Sequence, residues 1–299
     1  MRRATEHPSA RGLTLVEVLV AMTITLGLLA AVMTIAFSSR RLYEIDQQRT
    51  GLNQNLRAGM DLLGAEVRQA GERLPGDVPA IQIADGAPGP DTLTVRRNLT
   101  DIVLPVCVDV PSGSTGDFVI IGDVPAETGC QAVADSDSDG WPDNLQTWRE
   151  MRIAGGGNLR AFIYNPATRQ GEFFDYDDEN AGAFRLGRGD SGAWQYNYLV
   201  ADQSRVYLLE ESVFRLDGDV LQRVINDGAS PLNLVNEISN FQVRAILDDG
   251  SIQTALAPSD PWQDLRSLEI TMVGTAEIRD KELHRVLTTQ FFPRNVLSR

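Results

Sequence analysis

Two histidines and two cysteines are the only soft ligands in 299 residues. His7, His284, Cys107 and Cys130 cannot supply the nitrogen and sulfur sets of most zinc or iron centres, which restricts enzyme chemistry from the outset. Basic residues are scarce too, with 27 Lys and Arg against 41 Asp and Glu and a net charge of −14. The arginines are scattered, so no nucleic-acid contact is expected. There is no internal repeat and no long low-complexity linker. A hydrophobic content of 42% still suits a folded protein, and the length allows one large domain or two small ones.

Charge is scarcest between Leu13 and Phe37, 25 residues whose one charged side chain is Glu17. About 20 apolar residues suffice to cross a bilayer. The preceding residues 1–12, "MRRATEHPSARG", carry Arg2, Arg3 and Arg11 against Glu6. That bias holds this end in the cytoplasm and sends the rest outward. A secretory signal has an apolar region of roughly 7–15 residues and a small-residue cleavage site, and it fits poorly. An ordinary membrane anchor fits, apart from Glu17. A charge inside lipid costs about 2.5–3.5 kcal/mol even on lenient insertion scales.

After Phe37 the pattern becomes amphipathic. Leu42, Ile45, Leu52, Leu56, Met60, Leu63 and Val67 recur on one helical face, and Gly71 and Pro75 supply the stop signal. A continuous helix from Leu13 to about Ala70 would measure roughly 87 Å. Its first half is expected in a membrane or filament core and its second half against a sheet. Beyond Pro75, predicted strands include "DTLTVRRNLT", "DIVLPVCVDV", "DFVIIGDV", "LRAFIYN", "QYNYLVAD", "ISNFQVRAIL", "RSLEITMVGTA" and "HRVLTTQFF". The segment "SRVYLLEESVFRLDGDVLQRVI" carries a hairpin signal at Asp217-Gly218. The expected class is α+β: a long N-terminal helix, half transmembrane (13–37) and half amphipathic (38–74), packed on an antiparallel β-rich domain (75–299) with a loop region at 107–146.

The stretch "RGLTLVEVLVAMTITLG" resembles the class III leader of type IV pilins and type II secretion pseudopilins. The resemblance implies cleavage by a prepilin peptidase between Gly12 and Leu13, removing 1–12 as a leader, and methylation of the new amine. Leu13 departs from the more usual phenylalanine, while Glu17 matches the family's glutamate five residues into the mature chain. A cationic amine at Leu13 of one subunit would then neutralise Glu17 of its neighbour, so the carboxylate would favour assembly and register. "DLLGAEVRQAG" at 61–71 is similar to the end of the long helix in PilW minor pilins and the related GspJ pseudopilins. The order "LVNEISNFQVRAIL", "PWQDLRSLEITMVG", "HRVLTTQFFPRNV" is similar to that group as well. The resemblance covers the first 71 residues and roughly the last 65, and implies a pilin fold. Implied partners are other minor and major pilins, the prepilin peptidase, the inner-membrane assembly platform, and membrane lipid before assembly.

The orientation argument places Cys107 and Cys130 outside the cytoplasm, where disulfides persist. Two buried free thiols are the alternative. Directly after Cys130, Asp135, Asp137, Asp139, Gly140 and Asp143 reproduce the D-x-D-x-D-G opening of an EF-hand-type calcium loop. The Trp141 carbonyl would add a ligand, but Gln146 replaces the bidentate glutamate of the twelfth position. The alternative is a solvated acidic turn. A second cluster, Asp175, Asp177, Asp178 and Glu179, lacks the glycine and the alternation and reads as a solvated loop.

Other motifs lead nowhere. "GDSG" at 189–192 suggests a serine nucleophile, which needs a histidine base; His7 would leave with the leader and His284 lies in a predicted strand. "RGDS" at 188–191 spells an adhesion tetrapeptide, but four letters recur by chance. "AGGGN" at 154–158 lacks the Lys-Ser/Thr of a phosphate loop. Asn98-Leu99-Thr100 spells a glycosylation acceptor, a rule that does not transfer to the bacterial cell the leader implies. The expectation is a non-enzymatic minor pilin, a structural or priming subunit near a pilus tip. The alternatives are a GspJ-like pseudopilin of a type II secretion system and a non-polymerising, membrane-anchored calcium-binding ectodomain.

Overall fold

In a computed structural model of the chain, the described residues are 14–76, 78–122, 130, 134–226, 230–260, 262–278 and 281–297. They form two compact units: the described residues up to Gly51 with Glu277–Leu283, and Leu52–Ala276 with the described residues from His284 onward.

Helix α1 (Leu15–Gln69) is one unbroken element of 55 residues. It contains a window of mean hydropathy 2.4, none of it buried by the molecule itself, and is long and apolar enough to cross a membrane. Burial begins at Leu52 and continues through Leu56, Gly59, Met60, Leu63, Gly64 and Val67. Leu42, expected on the packed stripe, is 62% exposed. The packed stripe, Leu52 to Val67, is therefore a little over four turns long, at about 3.6 residues per turn.

In the second unit α1 is followed by β1 (Ile81–Ala84), β2 (Thr92–Asn98), β3 (Leu104–Pro105) and β4 (Phe118–Ile120). Helix α2 (Asp143–Ala154) comes next, then β5 (Leu159–Asn165), β6 (Gln170–Tyr176), β7 (Glu179–Asn180), β8 (Arg185–Gly187) and β9 (Arg205–Tyr207). The chain continues through β10 (Leu209–Asp217), β11 (Val220–Ile225), β12 (Leu232–Val235), β13 (Ile238–Leu247) and β14 (Ile252–Gln253). It ends with the long strands β15 (Leu265–Ile278) and β16 (Lys281–Phe291) and a turn of helix, α3 (Arg294–Leu297). The strands make four sheets, ordered β1-β2-β10-β11-β12, β14-β13-β15-β16, β3-β9-β5-β6 and β4-β8-β7.

Two hydrophobic cores result. The first lies under the buried stripe of α1 and takes Leu93, Val95, Phe214 and Leu221 from the five-stranded sheet and Phe241, Val243, Leu268, Ile270 and Met272 from β13 and β15. Gly64 makes one close approach possible, because a Cβ there would run into the Phe291 ring. The second core belongs to an excursion between β2 and β10, with Trp148, Phe174, Tyr176, Trp194 and Tyr198 as its largest members. This lobe, residues 99–208, leaves and returns at one point: Asn98 pairs with Leu209, and the Leu99 N–H donates to the Leu208 carbonyl at 2.9 Å.

Strand β5 is the wall between the cores. Phe162 and Tyr164 face the first, Ala161 and Ile163 the second, so Ala161–Asn165 is buried without interruption. Both faces being covered explains why "AFIY" does not alternate. β9 continues the wall, with Tyr207 in the first core and Val206 in the second.

Several sequence expectations shift. "DIVLPVCVDV" yields only the two-residue β3 and a bridge at Val110, and "QYNYLVAD" only the facing bridge at Tyr198. Pro105 and Pro111 lack the N–H that a longer ladder would require. The β10–β11 turn is Gly218-Asp219, one residue later than expected, because Asp217 pairs with Val220 and Gly218 takes the positive φ of 61°. α2 and β6 are additions that the pattern did not suggest.

Candidate functional site

Three places were marked by the sequence: the start of the apolar helix, the cysteine pair and the acidic loop. Gly12 and Leu13 lie outside the described residues. Glu17 sits in the first turn of α1, and its Oε2 accepts the Thr14 N–H at 3.0 Å and the Thr14 hydroxyl at 2.9 Å. The Glu17 N–H donates back to Thr14 Oγ1 at 3.3 Å. This is a reciprocal capping box, Thr14 as N-cap and Glu17 as the third helical residue, which satisfies otherwise orphaned N–H groups. The T-x-x-E spacing was available in the sequence as that signal.

Cys107 and Cys130 form a disulfide, with their Cα atoms 5.5 Å apart. Cys107 is buried beside the second core, where its N–H donates to Ile120. Closing such a loop contributes on the order of 3 kcal/mol.

The acidic loop lies at the surface of the lobe and runs directly into α2. Its ends meet where the Asp143 N–H donates to the Ala134 carbonyl at 2.9 Å. Oxygens of Asp135, Asp137 and Asp143 lie within 4.8 Å of one another. Asp139 is turned differently, its Oδ1 accepting the Trp141 N–H at 2.8 Å. Gly140 N–H donates to Asp135 Oδ2 at 3.0 Å, and the turn needs the glycine's φ of 87°. Asp137 accepts a hydrogen bond from the Asp139 N–H, yet burial and the charges of Asp139 and Asp135 together raise its carboxyl above the usual range. Asp143 goes the other way, lowered by the Ser136 hydroxyl and N–H. Crowded oxygens with surplus negative charge fit a hard divalent cation such as Ca2+. Asp135, Asp137 and Asp143 would be the ligands brought together; no contact of the Trp141 carbonyl bears on the site, and its ring lies under Arg149, 4.6 Å from the guanidinium carbon.

Helix α2 is fixed by a cluster that the sequence had hidden. Glu179, expected in a solvated loop, is 8% exposed. It accepts both Arg152 nitrogens at 2.7 and 2.8 Å and the Tyr176 hydroxyl at 2.7 Å, with Arg149 at 3.3 Å. Burial alone would raise the Glu179 carboxyl, but Arg152, Tyr176 and Arg149 outweigh it and hold it below the usual range. Asp175 of the same cluster pairs with Arg160 at 2.7 Å.

The remaining motifs resolve in the same way. Arg188 of "RGDS" is 7% exposed, paired with Asp190 at 3.0 Å and stacked on Trp194 at 3.9 Å, so it is not displayed as a ligand. The Asn98 side chain is buried and out of reach of any glycosylating enzyme. His284 Nδ1 lies 3.1 Å from the Thr275 hydroxyl, on an exposed strand and far in sequence from Ser191. Comparison with protein-family models, with curated proteins and with solved structures gave no match.

Proposed function

We propose that this chain is a pilin-like subunit, a minor pilin of PilW type, held in the bacterial inner membrane by the apolar half of α1 and drawn from there into a type IV filament. The observation that carries the reading is α1 itself. An apolar window of mean hydropathy 2.4 is left unburied by the described residues, and lipid or neighbouring helices are what would cover it. The basic residues 1–12, Gly12 and Glu17 support a prepilin leader cut before Leu13. The fold agrees at the coarser level of a long helix whose second half packs on antiparallel sheets. Partners on this reading are other pilins, the prepilin peptidase and the assembly platform. The acidic loop would take Ca2+ on the outer side of the membrane.

The capping box favours a second reading, a plain membrane anchor carrying a calcium-binding ectodomain. Glu17 is already hydrogen-bonded within its own chain, so no second subunit is needed to explain it. The substitution Glu17→Gln separates the two. Glutamine can still serve the capping box, but it has no charge for a neighbour's amine to meet. Immunoblotting of membranes and of sheared surface filaments should find Glu17→Gln at normal levels in the membrane and lost from the filaments. Unchanged incorporation of Glu17→Gln would remove the assembly role of the carboxylate, and a wild-type chain absent from the filaments would leave only the anchor.

A further inference from the structure

At the seam between the two cores the surface opens into a cleft of about 410 Å3. Its floor is aromatic: Phe162 and Phe173 meet with ring centroids 4.9 Å apart, and the Arg160 guanidinium lies 5.8 Å from the Phe173 ring. Each acid of the cleft has one oxygen engaged. Glu211 holds Arg96 at 2.5 Å, and Glu172 accepts the Tyr198 hydroxyl and the Gln195 backbone N–H, each at 2.8 Å. The donors are less fully used. Gln82 gives its Oε1 to Arg96 at 2.8 Å, which leaves its amide N–H2 without a partner among the described residues. The Gln195 side chain has none there either.

Arg169 stands out among these residues. It lies in the β5–β6 turn at a φ of 56°, a left-handed backbone that a bulky side chain seldom adopts. The turn is held rigid by buried Asn165, whose Oδ1 accepts the N–H groups of Ala167 and Thr168 and whose Nδ2 donates to Asn197 and Asp202. Among the described residues Arg169 has no carboxylate partner, and its one contact is the Ser259 carbonyl at 3.4 Å. In a protein of net charge −14, Arg169 thus offers a guanidinium without a carboxylate among the described residues, on a rigid turn beside an aromatic floor.

We propose that this cleft binds an acidic sugar. The carboxylate would pair with Arg169, the C–H face of the ring would lie on Phe173, and the hydroxyls would meet the amides of Gln82 and Gln195. A peptide suits the cleft less well, because its main chain carries no charge for Arg169 to meet. The inference stands apart from the pilin reading, since it uses only the second unit.

The test is calorimetric titration of the full chain in detergent micelles with digalacturonate, and with digalactose as the neutral probe. Removing a hydrogen bond to a charged group should weaken binding about tenfold or more, so Arg169→Gly should show that loss. Glycine suits the left-handed backbone, so the denaturation midpoint should not fall. Gln195→Ala should weaken binding by a smaller factor. Saturable digalacturonate binding, lost in Arg169→Gly and absent with digalactose, is the expected result. No saturable heat, equal affinity for both probes, or wild-type affinity in Arg169→Gly would each overturn it.

Discussion

Glu179 and Asp137 show how differently two carboxylates of one lobe are used. Glu179 is buried and receives two guanidinium nitrogens and a phenol, so its charge is compensated. Its carboxyl is lower in the folded chain than its ordinary 4.5. The stability this contributes is complete above the ordinary titration range and fades as pH falls through the folded value. Removing one partner of such a pair costs about 3–5 kcal/mol. Glu179→Gln should therefore lower the denaturation midpoint of the lobe at neutral pH, read from Trp141, Trp148 and Trp194 fluorescence, with the difference from wild type shrinking in acid. Asp137 has the opposite environment, with like charges beside it. Calorimetry with Ca2+ should give binding heat for wild type and none for the variant Asp137→Ala, Asp139→Ala, whereas equal heats would remove the site. At this scale the sequence was informative where chemistry is local, as in the D-x-D-x-D-G turn and the T-x-x-E box. It misled at Glu179, whose partners Arg152 and Arg149 are supplied by folding.

Elements were legible in proportion to their apolar periodicity. α1 was expected from Leu13 to about Ala70 and runs Leu15–Gln69, while "LRAFIYN" and "ISNFQVRAIL" became β5 and β13 without change. α2 escaped notice because only Leu145 and Trp148 of its twelve residues are buried, and much of its remaining anchoring is ionic. The lobe's closure by Asn98–Leu209 pairing is non-local and leaves no sequence trace. Although its ends are adjacent, the lobe is not a detachable bead, because β5 and β9 lend Phe162, Tyr164 and Tyr207 to the first core. Truncating one buried aromatic costs about 3–5 kcal/mol. A chain with 99–208 replaced by a two-residue turn should therefore lose more stability than any single core substitution causes. A deletion variant with the denaturation midpoint of the full chain would show that the wall carries no load.

Across the whole molecule, two facts pull in one direction. The described residues bury none of the apolar window of α1, and a disulfide such as Cys107–Cys130 persists in an oxidising compartment. The proposed placement, a membrane crossed once with the cores outside the cytoplasm, would satisfy both. On the proposed function, passage from membrane to filament would add a further demand, that the basic segment 1–12 be removed so that a charged amine can form at Leu13. The most direct measurement is the intact mass of the protein purified from cell membranes. The account predicts a chain that begins at Leu13 and is one methyl group heavier than its sequence. A mass that still includes residues 1–12 would contradict it.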